Sequence, residues 1–118
     1  MVRAASPLAL VDDLVILQGD DRPLIWTLAD ANGEPVNLAG YTAAAQVRGR
    51  ANSTTVLHEW STTDGSAVLS ESSVTLKVDD SESWTWHYGV YDLHLTDPLG
   101  TTQVIARGTV TVTPAVTR

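Results

Sequence analysis

Trp84-Thr85-Trp86-His87-Tyr88-Gly89-Val90-Tyr91-Asp92-Leu93-His94-Leu95-Thr96-Asp97-Pro98-Leu99-Gly100, continuing through Thr101 to Gly108, is the stretch that decides the fold. Tyr91, Leu93 and Leu95 alternate with Asp92, His94 and Thr96, the two-residue period of a strand with one buried face. Asp97-Pro98-Leu99-Gly100 reads as a turn, because Pro98 presets φ and Gly100 tolerates the positive φ of a tight connection. The returning strand alternates again. Val104, Ala106, Val110 and Val112 fall on one face, and Arg107, Thr109 and Thr111 on the other. The stretch is a β-hairpin, and the chain before it reads as strands that pack on it.

Working back from the hairpin, Asp79-Asp80-Ser81-Glu82-Ser83 has a capping residue followed by acids, the composition of a helix start, and predicts one helical turn near 79–85. Ser73 to Val78 alternates through Val74, Leu76 and Val78. Ala67 to Leu69 is a short strand after Asp64-Gly65. Thr55 to Ser61 places Val56, His58 and Trp60 on one side and Leu57 and Glu59 on the other. Tyr41, Ala43, Ala45 and Val47 alternate with Thr42, Ala44, Gln46 and Arg48. The alanines would also suit a helix, but the alternation between Gly40 and Gly49 favours a strand.

Glu34 to Leu38 is a short extended segment following the turn Asp30-Ala31-Asn32-Gly33. Leu24, Trp26 and Leu28 share a face in the strand from Arg22 to Leu28, where Pro23 marks an edge or a bend. Leu14 to Gln18 is a short apolar strand. Residues 1–11 read as an N-terminal arm, and 12–118 as one domain. Seven or eight strands spaced about every 8–12 residues, with no long helix, predict an all-β, antiparallel, immunoglobulin-like β-sandwich.

The length of 118 residues suits a single core without staples. Cysteine is absent, which excludes disulfides, thiolate metal sites and a cysteine nucleophile. Fourteen acidic against seven basic residues, a formal charge of −7, argue against nucleic acid or an anionic membrane as partner. No apolar run approaches the ~20 residues of a spanning helix, and Asp12 and Asp13 interrupt the N-terminal apolar stretch too early for a signal peptide. Phenylalanine is absent, so the four tryptophans and three tyrosines supply all the aromatic packing.

Chemistry-bearing patterns are sparse. The doublets Asp12-Asp13, Asp20-Asp21 and Asp79-Asp80, with Asp30-x-Asn32, lack the spacing of a calcium loop and read as turns and caps. His58, His87 and His94 share no ligand spacing. No nucleophile elbow or phosphate loop occurs, so no catalytic, metal or cofactor residue is assigned and no enzymatic activity is expected. Asn52-Ser53-Thr54 fits a glycosylation sequon, a short pattern that arises by chance. Trp60, Trp84, Trp86 and Tyr88 are the candidate partner interface, since exposed Trp and Tyr are typical hot-spot residues. Their alternative roles are core packing or a sugar-stacking platform.

From Leu17 onward the chain resembles the N-terminal domain of the upper baseplate (receptor-binding-protein adaptor) proteins of siphophages infecting Gram-positive bacteria. The resemblance rests on Gln18-Gly19-Asp20 with Pro23-Leu24 and on the run from Asp30 through Gly33-Glu34-Pro35 to Gly40-Tyr41. It rests further on Gly89 to Leu95 with Asp97 and Gly100, on Arg107 to Val112, and on Val116-Thr117-Arg118. It covers about 100 residues. The resemblance implies an immunoglobulin-like sandwich that docks to a phage tail without enzymatic activity or cofactor. Its partners would be other virion proteins of the tail, neck or capsid, in a symmetric multi-copy assembly. A capsid decoration protein and a carbohydrate-binding module are the alternatives. The family's proteins continue into coiled-coil and further domains after this region.

Overall fold

The computed structural model describes residues 2–5 and 10–116, with side chains from residue 10 onward. Among these, ten strands build two facing sheets: β1 (Val2–Ala5), β2 (Leu10–Val11), β3 (Leu14–Leu17), β4 (Leu24–Leu28), β5 (Thr42–Arg48), β6 (Val56–Ser61), β7 (Ala67–Ser70), β8 (Ser73–Leu76), β9 (Tyr88–Thr96) and β10 (Thr102–Thr113). One sheet has the order β1-β4-β8-β7, and the other β2-β10-β9-β5-β6 with β3 also on β10. The immunoglobulin-like sandwich expected from the alternation is the observed architecture, with ten strands among the described residues in place of seven or eight, β1 and β2 being the two added before Leu14.

The hairpin of the opening stretch is β9–β10, and it forms the centre of the larger sheet. Its loop is built twice in the molecule. Asp97 Oδ1 accepts from Leu99 N and Thr101 N, both at 2.9 Å, while Asp30 Oδ1 accepts from Asn32 N at 2.9 Å and Glu34 N at 3.0 Å. In each loop a glycine three residues after the aspartate takes φ near +90° or +80° (Gly100 and Gly33), a left-handed backbone that a side chain rarely adopts. The carboxylates at 30 and 97 are thus spent on their own turns.

Inner faces meet in a single apolar layer. Leu24, Trp26, Leu28, Val74 and Leu76 of the smaller sheet face Ala43, Ala45, Val47, Leu93, Leu95, Val110 and Val112 of the larger, and all are buried. Ala45 stands in register between Trp60 and Leu93, so a small side chain makes room for the fully buried indole beside it.

Several details differ from the alternation. The inner face of β10 is not Val104, Ala106, Val110 and Val112. A bulge at Ile105 lets Ile105 and Ala106 both turn inward opposite Leu93, and Val104 moves to the outer face opposite His94. In β6 an irregularity beside Val47 and Arg48 likewise turns Leu57 toward the core while Val56 is exposed. Glu34 to Leu38 makes only an isolated bridge, Ala29 to Pro35, but it carries Leu38 into the core. The helical turn is a short 3-10 turn at Ser81–Ser83, and the Asp80 side chain does not cap it. Instead the Ser83 hydroxyl donates to the Asp80 carbonyl at 2.7 Å.

Three pairings are parallel: β1 with β4, and β2 and β3 with β10. Of the arm expected over 1–11, Val2–Ala5 and Leu10–Val11 lie in these strands, and residues 1 and 6–9 lie outside the described residues. β2 and β3 keep one register on β10, broken only at the Asp12-Asp13 step. There Asp12 N donates to Arg107 O at 2.8 Å, Asp13 Oδ1 accepts from Thr109 N at 2.9 Å, and Tyr91 Oη donates to Asp12 O at 2.6 Å. This first acidic doublet is therefore structural.

Candidate functional site

The four residues predicted as an interface do not form one surface. Trp60 is fully buried, and its Nε1 donates to Lys77 O at 2.7 Å. Trp84 is buried at the end of the 3-10 turn. Gln18 holds that end in place by donating from Nε2 to Trp84 O at 3.0 Å. Trp86 is half-buried, stacked on Trp84 with ring centroids 5.1 Å apart and planes 17° apart. Tyr88 is 56% exposed. The first three descend from the surface into the core, and only Tyr88 is exposed.

His58 completes that aromatic column. Its ring lies 4.5 Å from both Trp60 and Trp84, and Trp60 and Trp84 meet edge-on at 6.3 Å. Burial pulls the His58 pKa below its usual value, against the opposing pull of Asp80, Asp64 and Glu59. A shallow hollow beside it is lined by Asp64, Lys77, Asp79 and Asp80. Asp64 turns to its own loop, accepting from Ser66 Oγ at 2.6 Å and Ser66 N at 2.9 Å, and these bonds lower its pKa. Among the described residues no group of three His, Asp or Glu side chains is placed to hold a metal.

Tyr88 belongs to a larger feature, the outer face of the β2/β3-β10-β9-β5-β6 sheet. Residues in register on neighbouring strands share a face, so the pairings give that face in rows. Val15, Thr111 and Tyr88 form the first. Thr109, Val90, Arg48 and Val56 form the second. Val11, Arg107, Asp92, Gln46 and Glu59 form the third. Val104, His94, Ala44 and Ser61 form the fourth. The twist of the sheet leaves an open groove of about 970 Å³ along the middle rows.

Its floor sets a pre-ordered polar chain among the apolar side chains of Ala51, Val90 and Val104. Arg48 donates from Nη1 to Ser53 O at 2.5 Å and from Nη2 to Gln46 Oε1 at 2.8 Å, and Gln46 Nε2 donates to Glu59 Oε2 at 2.5 Å. Asp92 Oδ1 lies 3.2 Å from His94 Nε2, and Arg107 stands in register with Asp92 on the next strand. One margin is apolar: Val11 is 63% exposed, Val15 64% and Leu17 49%. Such an arrangement, ordered charged groups among apolar ones with a further apolar margin, can bind a protein surface. The alternation of β9 already turned Asp92 and His94 outward. The Val104 position was hidden by the bulge, and the apolar margin by the short, all-apolar reading of Leu14 to Gln18.

No known protein family's profile matches the chain, and neither does any curated protein. Among solved structures the chain is similar to the N-terminal domain of phage TP901-1 ORF48, with a TM-score of 0.54 at 11% identity over 94% of this chain and 97% of that one. A fainter likeness, TM-score 0.39 at 10% identity, joins 93% of this chain to 47% of the bradyzoite-specific antigen BSR4 of Toxoplasma gondii. The first of these shows the fold the two chains share.

Proposed function

We propose that the chain is a non-enzymatic structural component of a tailed-phage virion, a docking protein of the tail, baseplate or neck present in symmetric copies. One observation carries this reading: the likeness to a phage protein domain spans nearly the whole of both chains, so the shared unit is the entire sandwich. The grooved outer face of the larger sheet supports it by offering a surface suited to protein contact. The buried positions of Trp60 and Trp84 weigh against a sugar-stacking platform, because neither indole offers a free face.

Mass spectrometry of purified, fractionated particles tests the proposal. Copies that track the tail in threes or sixes are the expected result. Copies that track the capsid lattice would replace it with a decoration protein, and absence from both fractions would overturn the virion reading.

A further inference from the structure

β3 lies at an edge of the larger sheet with β10 on one side only. Asp12 N donates to Arg107 O and Gln18 N to Thr113 O. These two bonds fix the phase of the strand between them. Leu14 and Ile16 turn their backbone N–H and C=O groups to β10, and Val15 and Leu17 turn theirs away from it. Among the described residues no strand pairs with that open side, and Leu17 O alone is met, by Asp20 N at 2.9 Å. Edge strands are usually protected by lysine, proline or an inward charge. β3 itself, Leu-Val-Ile-Leu, has none of these, and its outward side chains Val15 and Leu17 are exposed.

Exposed carboxylates bracket the strand, Asp13 before it and Asp21 after it. Of the arginines beside it, Arg22 is held by both carboxylate oxygens of Asp20, and Arg107, in register with Val11, stands opposite Asp92 on β9. A second copy paired antiparallel along this edge would bring the Asp12-Asp13 end of one chain against the Asp20-Asp21 end of the other, which like charges oppose. We propose that the open side of β3 receives an extended segment of a partner protein, apolar at alternate positions and flanked by Lys or Arg at both ends. Main-chain bonds to Val15 and Leu17 supply the pairing, and the flanking charges select the partner. This deepens the docking reading by stating the partner's chemistry, and rests on that reading only in that the chain docks.

The test uses the full chain and two synthetic peptides of alternating valine and threonine, one with lysines at both ends and one with glutamates. Amide hydrogen exchange is followed by NMR. With the lysine peptide at about ten times its Kd, exchange at Val15 and Leu17 slows about tenfold, while Leu14 and Ile16, already bonded to β10, do not change. The glutamate peptide has no effect, and about 1 M salt weakens the lysine peptide's binding. Val15→Pro removes an outward N–H that the fold does not use, so the chain stays folded and the slowing at Leu17 disappears. Leu17→Lys acts the same way by charge repulsion.

No slowing with about 1 mM lysine peptide overturns the proposal. Equal slowing by both peptides overturns the basic partner. Slowing in the chain alone that grows with its own concentration assigns the edge to a second copy and also overturns it. No particles are used, so failure here leaves the virion proposal standing, and failure of the particle count leaves this one standing.

Discussion

A methyl group on Gly108 would lie 2.6 Å from Asp12 O and 2.8 Å from Asp13 Oδ1, so β10 and the Asp12-Asp13 step approach as closely as only glycine allows. Gly108→Ala should cost about 1–3 kcal/mol through this overpacking, read as a lower urea midpoint at unchanged slope. At His58 the cause is electrostatic. Burial lowers its folded pKa, so the unfolded chain, near 6.5, binds the proton first. Stability is therefore complete above about pH 6.5 and falls as pH drops through the window between that value and the lower folded pKa. His58→Phe keeps a ring between Trp60 and Trp84 and removes the titration. Its Tm should fall less than the wild type's between pH 7.5 and pH 5.5, and parallel losses would show that His58 stays ionisable at no cost in the fold.

At the scale of elements, the two aspartate loops are one solution used twice, and each carboxylate accepts two backbone N–H groups. Asp30→Ala and Asp97→Ala should each cost about 1–2 kcal/mol, and the two losses should be similar in thermal denaturation. These loops were legible because their chemistry is local: aspartate, a free pair of residues and glycine sit within one short run. The strands Ser73–Leu76, Thr42–Arg48 and Tyr88–Thr96 were legible for the same reason, each carrying its own period of two. Alternation fails where a residue is added without breaking the strand. Counting through Ile105 placed Val104 in the core, and counting through Leu57 placed Val56 beside Trp60. The exposed side of β3 was equally unreadable, since Leu14 to Leu17 are all apolar and only the pairing with β10 decides which of them face out.

On the scale of the whole molecule, the two outer faces should behave differently if the docking proposal holds. Tyr88→Asp, on the grooved face, should lower incorporation into particles about tenfold or more with little change in Tm, while Val68→Asp, on an exposed position of the smaller sheet, should leave incorporation unchanged. Quantitative mass spectrometry of particles assembled with each variant reads both. The sandwich was visible in the sequence because strand spacing and turn chemistry are summed along the chain. The burial of the indoles was not, because it depends on residues distant in sequence: the Trp60 ring is met by Lys77 O and Trp84, and the Trp84 ring by His58 and Trp60. The parallel docking of β2 and β3 on β10 is the longest-range of these contacts, and it has a mechanical meaning. A pull applied at Leu10 and at Thr113 in opposite directions acts along the strands. It therefore loads every registered pair from Leu10–Ala106 to Leu17–Thr113 in shear at once, with none unzipping ahead of the rest. Resistance to such a pull is set by the rate of unfolding under load rather than by equilibrium stability, and this strand pairing is the element that bears it.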